Sequence, residues 1–152
     1  MFFHIVVTLF QFYNQNWEGG VFMRLNHECV RQIMLLIESD ISYNDSLGKE
    51  ELLDHPKLQS FTKEEILYAV LRLDEADFIK CDIAPGDDSL IYHLSLNGLT
   101  WSGHEFLDNI RDNKVWAFVK QTASKTASAS LPILAQLAAT KLWHYVTTGE
   151  LI

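Results

Sequence analysis

Residues Leu99–Asp112 read LTWSGHEFLDNIRD, and this stretch decides the fold. Thr100 is a good helix N-cap, and the apolar residues Trp101, Phe106, Leu107 and Ile110 follow it, so a helix is expected over Trp101–Arg111 that buries some of these four. Just upstream lie two runs rich in β-branched, aromatic and apolar residues, Phe78–Ile83 and Leu90–Leu96. Between them Ala84–Ser89, APGDDS, is a turn. A hairpin running into a capped helix closes a small helix-plus-wing domain.

Further upstream the pattern is helical. Thr62 with Glu65 three residues on is a capping box. It opens a helix whose Ile66, Val70 and Leu73 form one stripe, with Leu67 and Leu71 beside it, ending at Ala76-Asp77. Asp54-His55-Pro56 stops a short helix over Lys49–Leu53, and Ser42–Gly48 is polar and turn-like. Asn26 caps a helix that carries Cys29, Val30, Ile33, Met34, Leu36 and Ile37 at helical spacing to about Glu38. Helix, short helix, helix, hairpin, helix is the order of a winged helix-turn-helix. The expected class is mainly α with a small β-hairpin: a winged-helix-like domain over residues 23–112 and a C-terminal helical tail over 113–152.

In the tail, Lys114–Lys125 can form a helix led by Val115, Trp116, Phe118 and Val119. Thr122–Ser130 is small and low in complexity. Ser130 can cap a last helix that tolerates Pro132 in its first turn. Leu131, Leu134, Ala138 and Leu142 then align on one face, flanked by Leu137 and Tyr145. That face either packs on the same domain or forms an interface, a self-association seam or a partner-binding helix, and the interface is favoured because the wing domain already has a core. Attachment to a membrane surface is disfavoured, since only four lysines are spread over the tail.

The first 22 residues differ from the rest. MFFHIVVTLF is apolar and aromatic, and QFYNQNWEGGVF follows without periodicity. A signal peptide needs a basic n-region and a small-residue cleavage site, both missing here. The apolar run is also too short to span a membrane. Glu18-Gly19-Gly20 can be encoded GAAGGAGGN, which contains a bacterial ribosome-binding sequence just before the Met23 codon. The expectation is that Met23 is the true start and that residues 1–22 are leader outside the fold.

Three blocks carry a family resemblance: LNHECVRQIMLLIE from Leu25, FTKEEILYAVLRLDEADFI from Phe61 and LTWSGHEFLDNIRDNKVW from Leu99. Together they resemble an uncharacterised bacterial and phage family with an LTxxGHEFLDxIR signature and a domain-of-unknown-function label. The resemblance runs from about Met23 to Trp116. It implies a small cytoplasmic protein associated with phage or mobile elements, and it supplies no catalytic residue.

The residues themselves restrict function further. Cys29 and Cys81 form no spaced pair, which fits free thiols in a reducing compartment. There is no CxxC, HExxH or phosphate-binding glycine loop, so neither a metal nor a nucleotide cofactor is expected. His104 and Asp108 are i, i+4 neighbours that could share a hydrogen bond, but no nucleophile accompanies them, and an enzyme is not expected. His27, Glu28 and Cys29 point in different directions on a helix and make no ligand set.

DNA binding is the natural question for this fold. Residues 23–112 hold eight Lys and Arg against eighteen Asp and Glu, whereas the tail holds four Lys and no acid before Glu150. The helix that would enter the major groove offers Lys63, Tyr68 and Arg72 to bases or to a partner, but it also carries four acids. The wing tip carries Asp87 and Asp88. Both contact elements repel phosphate, which dominates nucleic-acid affinity. The expected function is therefore a non-enzymatic module acting through protein contacts, with an unknown partner or self-association through the tail. The alternative is a winged-helix transcriptional regulator that uses Lys63, Tyr68, Arg72 and the basic tail. No transmembrane span is expected.

Overall fold

The computed structural model describes residues 24–86, 91–125 and 130–150. The expected leader, Met23 and the wing-tip Asp87 and Asp88 lie outside these residues. Helix α1 spans His27–Asp40, and the Asn26 side chain accepts from the Glu28 and Cys29 N–H groups. Strand β1 is the pair Leu47–Gly48, followed by helix α2 over Lys49–Leu53 and a 3-10 turn over Pro56–Leu58. Helix α3, Lys63–Glu75, starts at the expected capping box: Thr62 Oγ1 accepts from the Glu65 N–H at 3.1 Å, and the Glu65 carboxylate accepts from the Thr62 N–H at 2.9 Å. Glu65 also accepts from Asn26 Nδ2 at 3.1 Å, so one carboxylate ties the starts of α1 and α3 together.

Strands β2 (Ile79–Ala84) and β3 (His93–Leu99) pair antiparallel, and β1 adds to the other side of β3. Among the described residues the sheet therefore has three strands in the order β1-β3-β2, where a two-stranded hairpin is expected from sequence. Ser42–Gly48 is not all turn, because Leu47 and Gly48 pair with Leu96 and Ser95. The second long strand lies three residues later than its expected start and runs to the cap of the next helix. The register slips between Lys80 and Cys81, where β3 carries the extra residue Asn97.

Helix α4 (Trp101–Ile110) is capped by Thr100, whose Oγ1 accepts from the Gly103 N–H at 3.0 Å and donates to the Asp77 carbonyl at 2.5 Å. Gly103, Phe106, Leu107 and Ile110 are buried, and Phe106 stacks on Phe78 with centroids 4.7 Å apart. Trp101 is the exception to the expected burial: it sits in the first turn and stays 79% exposed. Helices α5 (Asn113–Ala123) and α6 (Leu131–Thr148) complete the described chain. One continuous core runs through all of these elements, with α1 packed on α3, α4 and β3.

Of the two ways to cover the apolar face of the tail helix, the structure shows packing within the chain, not the favoured interface. Helix α6 packs on α4 and α5 of its own chain. Leu134 is 2% exposed and Ala138 is fully buried, while Leu131 and Leu142 are half-buried against the same core. The apolar face awaiting a partner is thus covered from within. An isolated helix is marginal in water, and this one finds its packing surface without a second chain.

Candidate functional site

Helix α3 is the element that would touch a partner in a winged-helix protein. Its buried residues are Ile66, Ala69, Val70 and Leu73. At about 100° per residue, Glu64, Tyr68, Leu71 and Glu75 fall opposite them. Lys63 and Arg72 fall on the two flanks, about 180° apart, so Arg72 lies with Tyr68 and Lys63 lies away from both. Each cation on the helix also faces an acid. Arg72 Nη1 lies 2.8 Å from Glu75 and its guanidinium 5.2 Å from the Tyr68 ring centroid, while Lys63 Nζ is 3.8 Å from Asp54. At the C-terminal end, burial and the charges of Asp77 and Asp82 raise the Asp74 carboxyl above its ordinary pKa, even though it accepts a hydrogen bond from Cys81 Sγ.

Lys120 donates to Glu28 at 2.8 Å, and Lys141 is 8% exposed with its ammonium 4.3 Å from the Phe118 ring centroid. Two of the four tail lysines thus serve internal contacts.

Sequence reading missed the most connected polar cluster, which joins α1 to α4 and α5. Arg31 is 3% exposed, and its guanidinium donates to the Ile110 carbonyl at 2.7 Å, the Arg111 carbonyl at 2.6 Å and Asn113 Oδ1 at 2.8 Å. One turn earlier, Glu28 accepts from Trp116 Nε1 at 2.6 Å, Lys120 Nζ at 2.8 Å and Gln32 Nε2 at 3.0 Å. Partial burial alone would raise the Glu28 carboxyl, but these hydrogen bonds and the Lys120 charge outweigh it and hold the pKa at about 2. A folded-state pKa below the unfolded one stabilises at neutral pH, and that contribution is lost as pH falls from the ordinary carboxylate range toward 2. Thermal melts should therefore show a steep stability loss across that window, with a shallower slope in Glu28→Gln.

Beside this cluster lies a groove of about 430 Å³ lined by Arg24, His27, Glu28, Trp116, Lys120 and Leu134, among others. Burial and the nearby Arg24 charge lower the His27 pKa. Other titratable pairs are structural in geometry. His104 does not bond Asp108, which instead takes Arg111 at 2.7 Å, and the acid facing His104 is Glu38 at 4.0 Å. His55 Nε2 meets Asp40 at 3.0 Å while its Nδ1 accepts from the Lys57 N–H, so both ring nitrogens are occupied. Burial first, then Glu65, pushes the Cys29 thiol up to about 12. Among the described residues no group of three or more His, Cys, Asp or Glu could hold a metal ion, and no helix is long and apolar enough to cross a membrane.

The chain is similar to an uncharacterised protein of Haemophilus influenzae, with 33% identity over 121 residues that cover 78% of this chain and 94% of the relative. No solved structure matches. The family model described as "Hypothetical protein (DUF2513)" matches residues 24–130, taking in both α3 and the Arg31 cluster, and the chain belongs to that family.

Proposed function

We propose that the protein is a winged-helix module that works through protein contacts and performs no chemistry of its own. The winged-helix reading is supported by the order α1-β1-α2-α3-β2-β3 and by the strand order β1-β3-β2, which brings β1 beside the hairpin. The α3 face carries the functional reading: its outward side presents Glu64, Tyr68 and Glu75, and both of its cations are already paired with acids. Such a face repels phosphate and suits a protein surface instead. The family resemblance adds an association with phage or mobile elements, and the two free thiols fit a cytoplasmic setting.

Fluorescence-anisotropy titration with duplex DNA at physiological salt tests this reading. The expected result is no saturable binding below about micromolar, the range of non-specific contacts. Specific binding at nanomolar levels would overturn the reading and establish a DNA-binding regulator. A tagged pull-down from the native host with nuclease treatment should then retain its partner.

A further inference from the structure

Strand β2 is an edge. Among the described residues it pairs with β3 on one side only. Its own backbone is continuous, because the extra residue at the bulge belongs to β3. The carbonyls of Phe78 and Ala84 both accept from the β3 side, from the Thr100 and Tyr92 N–H groups at 3.1 and 2.9 Å. By the alternation of an antiparallel ladder, Ile79, Cys81 and Ile83 therefore turn their N–H and C=O groups toward the open edge. An unpaired row of this kind is a template for another strand.

The sequence of the edge selects the occupant. Ile79-Lys80-Cys81-Asp82-Ile83 is self-complementary when two copies run antiparallel about Cys81. Ile79 then meets Ile83, and Lys80 meets Asp82 twice. Lys80 and Asp82 are exposed on one face, while Ile79, Cys81 and Ile83 lie toward the core face. The neighbouring two-fold registers that keep the hydrogen bonds in phase place Lys80 against Lys80 or Asp82 against Asp82. Opposite charges across a strand pair stabilise it and like charges destabilise it, so charge picks one register of the three.

We infer that the protein forms a two-fold dimer by antiparallel pairing of β2 with the β2 of a second copy, centred on Cys81, giving a continuous six-stranded sheet. This surface is separate from the α3 face and does not depend on what that face binds. It also differs from the α6 face, which is covered within the chain.

Charge reversal on the full chain tests the dimer by sedimentation equilibrium at physiological salt, where the net charge of −8 per chain is screened. The wild type should dimerise. Lys80→Asp alone and Asp82→Lys alone each put like charges opposite one another and should weaken the dimer by about tenfold or more. The double variant Lys80→Asp/Asp82→Lys should restore it, since both cross-strand pairs are opposite again. Circular dichroism melts should stay close to wild type, because both side chains are exposed and the reversals at Asp82 lose only the exposed hydrogen bond from Asn97 Nδ2. In hydrogen exchange, the amides of Ile79, Cys81 and Ile83 should gain protection with protein concentration. A wild type that stays monomeric, or a dimer indifferent to the single reversals or not rescued by the double, would overturn the inference. None of these outcomes bears on DNA titration of the α3 face.

Discussion

Gly103→Ala is expected to lower stability by about 3 kcal/mol, close to the upper end of what overpacking costs. A Cβ built on Gly103 would stand 1.9 Å from the Phe78 carbonyl oxygen and 2.9 Å from its carbon. Both are backbone atoms, so no side-chain rotation relieves the clash. The same carbonyl accepts from the Thr100 N–H at 3.1 Å, and the Thr100 hydroxyl donates to the carbonyl just before it. Helix α4 is thus pressed against the turn that leads from α3 into β2, and glycine sets the separation. Alanine is the better helix former by about 1 kcal/mol, which offsets part of the loss without reversing it. Chemical denaturation would measure the change. A variant as stable as wild type would show that the turn can move away at little cost, and that the close approach is not required.

Arg31→Met should cost about 3 kcal/mol, the upper end for losing hydrogen bonds from a charged donor to buried acceptors. Methionine keeps the aliphatic bulk but no donor. The Ile110 and Arg111 carbonyls at the end of α4, and the Asn113 side chain at the start of α5, then lose the guanidinium that all three share. Glu28 loses its 3.8 Å ion pair with Arg31 but keeps its bonds to Trp116, Lys120 and Gln32, so most of the loss falls at the α4–α5 corner. Urea melts followed both by Trp fluorescence and by far-ultraviolet circular dichroism would report it. An Arg31→Lys variant should recover only part of the stability, since one ammonium cannot reproduce the fork of a guanidinium. If Arg31→Met melts within about 0.5 kcal/mol of wild type, the network adds nothing to stability.

The two sites differ in how far sequence alone reveals them. The caps at Asn26, Thr62 and Thr100 are legible because each bonds N–H groups only two or three residues away. Helices α1, α3 and α4 follow from this local grammar. Strand β1 is invisible for the opposite reason: two residues have no periodicity, and Leu47–Gly48 is a strand only because Leu96 and Ser95 lie beside it. The apolar face of α6 is evident, but periodicity says only that something covers it. Here α4 and α5 do. Lys63, Tyr68 and Arg72 look like a set when named in order, yet their spacing carries Lys63 around the helix from the other two. Arg31 gave one usable signal, a charge placed between Val30 and Ile33 in an otherwise buried stretch. What it holds could not be read, because its partners lie 79 to 82 residues downstream.

That separation has a consequence for the order in which the molecule assembles. The guanidinium belongs to the first described helix, yet its acceptors end α4 and begin α5. Contacts this distant in sequence close late, after local turns and the hairpin have formed, because loop-closure entropy must be overcome first. On a chain made from the N-terminus, the Arg31 side of α1 stays open to water until residue 113 has been synthesised. Any fragment released before that point keeps an apolar helix it cannot lock in place, a state prone to aggregation and to proteolysis. The long reach of one arginine therefore ties the first helix to the arrival of the α4–α5 corner, nearly three quarters of the way along the chain.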